Sequence, residues 1–151
     1  MEVFNVLRAE LEDEWGPEGY RRRMIRLGER LGARLIGATL YEVPPGQRAW
    51  PYHYEYGNEE WLLCLAGRPT LRTPEGEREL GPGAVVAFAD GPAGAHQVVN
   101  RGTEPARLLM VSTKNVPAVG VYPDSGKVAM LAGEERAILP RDAGVDYWDG
   151  E

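Results

Sequence analysis

This chain has two histidines, and both stand among residues whose types bind metals. His53 lies in the stretch GQRAWPYHYEYGNEEWLLCLAG (46–67), with Glu55, Glu59 and Glu60 close behind it and an apolar run directly after. Imidazole and carboxylate are donors that hold divalent transition metals, so this crowding points most simply to a metal site. His96 lies beyond a run of glycines and prolines. Residues two apart on a strand share a face. A strand over 49–56 therefore points His53 and Glu55 one way and Tyr52, Tyr54 and Tyr56 the other. A strand over 60–66 groups Glu60, Leu62 and Cys64 against Trp61, Leu63 and Leu65, and leaves Glu59 outside. His96, Val98 and Asn100 share a face of their own strand. In a closed barrel one consistent choice sends His53, Glu55, Glu60 and His96 inward together. Ionisable groups in a barrel interior are costly unless paired, hydrated or bound to a cation. Two arrangements satisfy that condition: a divalent metal, or protonated imidazoles paired with the carboxylates and no metal.

The elements that must position these residues are short strands. The segments 35–43, 49–56, 60–66, 69–72, 78–80, 84–89, 95–100 and 107–112 are rich in strand formers and separated by turn signals such as Pro44-Pro45-Gly46, Gly57-Asn58 and Gly81-Pro82-Gly83. About eight strands at regular spacing, with no sustained helical period, predict an all-β antiparallel sandwich or small barrel. Ahead of it, the acidic AELEDEW (9–15) has room for a turn or two of helix that must dock to persist, and 20–27 reads as a strand. Behind it, 119–122 and 127–131 have the pattern of a hairpin turned by Pro123-Asp124-Ser125-Gly126, followed by an acidic, aromatic tail. The expected organisation is an arm over 1–33 packed on the barrel, the barrel over 34–114, and an extension over 115–151.

Length and composition bound the rest. At 151 residues the chain reads as one domain. A net charge of −6 argues against a nucleic-acid or anionic-membrane partner. The local exception is Arg21-Arg22-Arg23 with Arg26, Arg30 and Arg34, which reads as a solvated face or, alternatively, an anion contact. The single cysteine, Cys64, allows no internal disulfide and sits in an apolar run as a core residue. No apolar run is long enough to span a membrane and the N-terminus does not read as a signal peptide, so a cytoplasmic protein is expected.

The spacing of these residues resembles that of the cupin superfamily, the small jelly-roll barrels. The first cupin motif runs roughly G-x5-H-x-H-x3,4-E-x6-G. Here Gly46, His53, Glu60 and Gly67 fall near its positions, and Glu55 stands where the second histidine would be. The second motif runs roughly G-x5-P-x-G-x2-H-x3-N. Gly83, Gly91, His96 and Asn100 match it, with Ala89 in the proline position and a loop two residues longer before the histidine. The resemblance implies an antiparallel double-stranded β-helix and a divalent metal held by His53, Glu55, Glu60 and His96. Replacing an imidazole by Glu55 hardens the donor set and leans it towards Mn or Fe, with Zn and Ni also compatible. Two histidines and one carboxylate also form the face used by non-haem iron oxygenases.

For function, the expectation is a metal-binding protein of small-molecule metabolism, a dioxygenase or isomerase on a small polar substrate. The alternative is a non-catalytic ligand-binding or sensing barrel, which the departure at Glu55 favours. Tyr41 and Met110 as lumen residues, and Arg48 near the mouth, are candidates for substrate contact. Tyr52, Tyr54 and Trp61 read as outer-face packing or contacts of a homodimer, the assembly common among cupin relatives.

Overall fold

The computed structural model describes residues 1–11 and 13–151. In chain order the strands are β1 (Glu14–Trp15), β2 (Arg22–Arg26), β3 (Ile36–Val43), β4 (Tyr54–Tyr56), β5 (Glu60–Ala66), β6 (Thr70–Thr73), β7 (Gly76–Glu79), β8 (Val85–Phe88), β9 (Gln97–Val99), β10 (Ala106–Thr113), β11 (Ala118–Tyr122), β12 (Lys127–Ala132) and β13 (Glu135–Pro140). One sheet has the order β1-β2-β3-β10-β5-β8. The facing layer contains β7-β6-β9 and β13-β12-β11-β4. Isolated bridges Arg48↔Val99 and His53↔His96 run the segment before β4 alongside β9 and join these two parts. All ladders are antiparallel, and the strands from β3 to β10 divide between the two layers as in a double-stranded β-helix. The protein is all-β, as the strand pattern predicts.

Period-two alternation builds the interior. On β5, Glu60, Leu62 and Cys64 are buried while Trp61 is 54% exposed. On β10, Ala106, Leu108 and Met110 turn inward. With Val43, Trp50, Leu71, Phe88 and Val98, Leu108 and Met110 form the main core. A second cluster lies on the outer face of the larger sheet, where Leu11 of the N-terminal arm packs with Leu27 and Leu40. Arg107 fixes the arm from beneath, donating to the Leu7 carbonyl at 3.1 Å and to Glu42 at 2.7 Å.

Two local expectations change and a third is extended. Within 9–15 no helix forms among the described residues; Leu11 docks on the sheet and Glu14–Trp15 pairs with Arg22 and Arg23 as a strand. Glu12, within that segment, lies outside the described residues. Seven residues give too little helix to outweigh such docking. Only Tyr54–Tyr56 of the 49–56 segment is a ladder strand, because Pro51 has no N–H to donate. The segment before it is held by single bonds, such as Ala49 N to the Val98 carbonyl at 2.9 Å. The hairpin over 119–122 and 127–131 forms as β11 and β12, but it does not stand apart: β11 pairs with β4, and β13 adds a further strand. A bidentate Arg72–Asp124 pair, at 2.6 and 2.9 Å, ties its turn to β6.

Among the described residues no helix is long and apolar enough to cross a membrane.

Candidate metal centre

His53 and His96 are neighbours through their backbones: His53 N donates to the His96 carbonyl at 3.2 Å and His96 N to the His53 carbonyl at 2.8 Å. Directly opposed residues of a narrow antiparallel bridge place their side chains on one face. The two imidazole centroids are accordingly 4.8 Å apart. Glu60, at the first position of β5, reaches them from the facing sheet. Its Oε2 lies 3.5 Å from His96 Nε2 and 4.0 Å from His53 Nε2. One ligand atom from each of the three residues falls within 4.8 Å of the others.

The ring nitrogens that face away define the tautomers. His53 Nδ1 lies 3.0 Å from the Pro51 carbonyl and His96 Nδ1 lies 2.9 Å from the Gly94 carbonyl. A carbonyl only accepts, so each Nδ1 carries the proton and each Nε2 presents a lone pair to Glu60. Gly94 is required for this: a Cβ there would run into the Ala89 carbonyl. The longer loop before His96 folds as a 3-10 turn over Pro92–Gly94 and delivers that carbonyl to the ring. Aromatic groups fix the imidazole planes. Phe88 stacks on His96 with centroids 3.7 Å apart, Trp50 meets it edge-on at 5.7 Å, and Tyr122 of β11 stacks on His53 at 5.6 Å.

The electrostatics count against the second arrangement left open by the sequence. Burial pushes the Glu60 carboxyl up to about 8, with the neighbouring Glu55 adding to the rise. Burial and the adjacent His53 push His96 down to about 3, and burial also lowers His53. The imidazoles are therefore neutral at pH 7, and the cluster is not a set of imidazolium–carboxylate pairs. His96 Nε2 is buried with no hydrogen-bond partner. Two imidazole lone pairs and the Glu60 carboxyl, which would release its proton to a metal, are a donor set that fits a divalent cation.

The other sequence candidates occupy different places. Glu55 is half-buried and outside the three-residue group; burial raises its carboxyl, opposed by the Asn58 amide. It lies instead on the wall of a cavity of about 460 Å³ that also includes Tyr122, Asn58 and Ser112. Tyr41 is packed against the core with its ring 5.4 Å from Trp50, and Met110 is a buried core residue. Arg48 faces the N-terminal arm, its backbone N–H on the Gly19 carbonyl at 2.9 Å and its guanidinium over Tyr20. Of the arginine run, Arg21, Arg23, Arg26 and Arg30 each meet a carboxylate, as a solvated face would. Phe88 and Tyr122 shape the site and were not among the sequence candidates. Phe88 had a signal, its inward position at the end of a buried strand, whereas Tyr122 reaches His53 through a β4–β11 pairing that no local pattern announces.

A double-stranded β-helix whose interior gathers two histidines and a glutamate from opposite sheets defines a cupin. The chain is a member of the cupin superfamily: the cupin domain model matches residues 39–112. A crystal structure of a candidate sugar phosphate isomerase from Acidithiobacillus ferrooxidans is 27% identical, with a TM-score of 0.81 over 93% of this chain and 91% of that one. A sugar phosphate isomerase of the cupin superfamily from Silicibacter pomeroyi is 25% identical, with a TM-score of 0.82 over 95% of each chain. A Thermus thermophilus protein is 30% identical over 75% of this chain and 97% of its own, with a TM-score of 0.59. No curated protein matches the chain.

Proposed function

We propose that this protein is a metal-dependent cupin enzyme that isomerises a small, polar hydroxycarbonyl compound of the sugar phosphate class. The convergence of His53 Nε2, His96 Nε2 and the Glu60 carboxylate in the barrel carries the reading. The resemblance over nearly the whole chain to two proteins described as sugar phosphate isomerases supports the reaction class. A bound divalent metal supplies Lewis-acid polarisation of a carbonyl or hydroxyl oxygen. The chain's own residues do the rest. The two Nδ1–carbonyl bonds hold the imidazoles in the ligating tautomer, and Phe88, Trp50 and Tyr122 hold their planes. Glu55 and Tyr122 line the cavity, and Tyr122 also stacks on His53, which sets the cavity beside the cluster. An aldose–ketose shift moves a proton between neighbouring carbons and requires no oxidant, so it fits a site of this composition.

Elemental analysis of protein purified without added metal tests the first half. About one equivalent of Mn, Fe, Zn or Ni is expected, and it disappears in Glu60→Ala and His96→Ala. Protein that retains none of these, and takes up none on addition, overturns the reading. Deuterium uptake from solvent into hexose and pentose phosphates, followed by NMR, tests the reaction class.

A second reading, a ligand-binding or sensing barrel without turnover, is favoured by one observation: Glu55 replaces the histidine of the usual motif. Ligand binding with no solvent exchange and no product over the sugar phosphates supports it. We also infer a homodimer formed through the open end of the larger sheet's outer face, where Trp61 is 54% and Val85 55% exposed. Leu65, on the same face, is covered by the arm. A Trp61→Glu variant that elutes at the same mass as a monomeric wild type removes the dimer.

A further inference from the structure

The cavity beside the metal centre has a composition that the metal does not explain. Its wall is the continuation of the barrel's inward face onto the added strands. In register, Glu55 stands opposite Gly120, Gly120 opposite Ala129, and Ala129 opposite Ile138. The neighbouring row runs Ala118, Leu131, Arg136. Directly opposed residues share a face, so small side chains line the approach to Glu55 and Tyr122, and Arg136 stands at its outer end. Lys114, in the segment leaving β10, borders the same space.

Most polar groups around this cavity are committed to one another. Asn58 Oδ1 accepts from Thr113 Oγ1 at 2.9 Å and from Asn115 N at 2.8 Å. Asn115 Nδ2 donates to the Gly57 carbonyl at 2.8 Å. Lys114 and Arg136 are the two cations on the cavity wall. Among the described residues neither forms an ion pair, in contrast to Arg72 at the nearby hairpin turn, which is held by Asp124. On a chain of net charge −6, two cations without carboxylates, on one cavity wall, form a local site for an anion. A guanidinium offers a planar fork of donors and an ammonium a compact charge, a combination suited to a tetrahedral oxyanion.

We propose that Lys114 and Arg136 bind the phosphate of a phosphorylated small molecule whose other end reaches the metal centre past Tyr122 and Glu55. This rests on the reading of the barrel as a small-molecule site, and adds to it which residues recognise the substrate class. The cavity volume of about 460 Å³ suits a small metabolite.

Calorimetric titration of inorganic phosphate into the full-length protein at low salt tests it, with the metal content of every sample measured in parallel. Wild type is expected to bind in the millimolar range; Lys114→Met and Arg136→Met each weaken binding, and the double variant weakens it at least about tenfold. Metal content stays at the wild-type value in all three. Arg68→Met, a surface change outside the cavity, leaves phosphate affinity unchanged. A double variant that binds phosphate as tightly as wild type, or a wild type that gives no binding at tens of millimolar phosphate, overturns the proposal. Failure of the metal reading shows separately: protein that carries no metal yet loses phosphate affinity in the double variant keeps this subsite and discards only the metal.

Discussion

The ring of Phe88 lies parallel to the imidazole of His96, with 3.7 Å between centroids and 4° between planes. The stack backs the ring while Gly94 holds its Nδ1, so the orientation of His96 is set from a face and from an edge. Phe88→Ala removes the first of these and opens a void in the core. A loss of about 3 kcal/mol in unfolding free energy is expected from urea denaturation. Metal affinity, measured by chelator competition, should fall by about tenfold or more because an outer-shell support is gone. Phe88→Leu should recover most of the stability but not the affinity. Unchanged affinity in both variants refutes the orienting role.

The metal-free protein should have a stability plateau with a fall on each side. The ordinary carboxyl value is 4.5, but Glu60 in the fold holds its proton to about 8. The unfolded chain therefore releases this proton first, and stability declines as pH rises from 4.5 to 8. His96 is reversed: its ordinary value of 6.5 drops to about 3, so the unfolded chain takes up a proton first and stability declines as pH falls from 6.5 to 3. Between 4.5 and 6.5 the two slopes oppose each other. Melting temperature across pH should show that plateau, and Glu60→Gln should flatten the alkaline side and turn the plateau into a rise towards pH 6.5, since only the His96 slope remains. A profile of Glu60→Gln that still falls on the alkaline side assigns the decline to other groups.

Much of this arrangement was legible in the sequence, for identifiable reasons. Strand β5 carries its period of two in plain form, with Glu60, Leu62 and Cys64 in and Trp61 out, so the inward turn of Glu60 could be read locally. The histidines were readable because their spacing follows a barrel motif. What resisted reading is pairing between distant segments. Tyr122 belongs to the site because β11 adds to β4, and neither short strand specifies the other in advance. The position of Glu55 turns on the same join: the alternation that puts it on the face of His53 says nothing of how far along that face it stands.

Glu55 and Glu60 should separate in metal binding. Glu60 belongs to the three-residue cluster, whereas Glu55 borders the cavity. Glu60→Ala is expected to lose metal, and Glu55→Ala to retain about one equivalent on elemental analysis. Loss of metal in Glu55→Ala places that carboxylate among the ligands instead.

Asn100 should act on stability. Fully buried, it donates to the carbonyls of Val43 and Glu104, each at 2.8 Å, and accepts from Gly102 N at 3.0 Å. Asn100→Ala strands these groups out of reach of water and should cost about 2–4 kcal/mol in urea denaturation. A loss below about 0.5 kcal/mol would mean that the turn over 100–104 closes without it.

The reciprocal backbone bonds between His53 and His96 have a kinetic meaning as well. The two residues belong to different halves of the chain, and their bridge exists only once the segment before β4 lies beside β9. Contacts between segments so far apart in sequence are slow to close. The site is therefore assembled only when these two segments pair, and not from local structure. A nascent or partly folded chain has its histidines apart and cannot capture a metal with this geometry. Pulse-labelled amide exchange during refolding would register it as protection of the His53 and His96 amides arriving together.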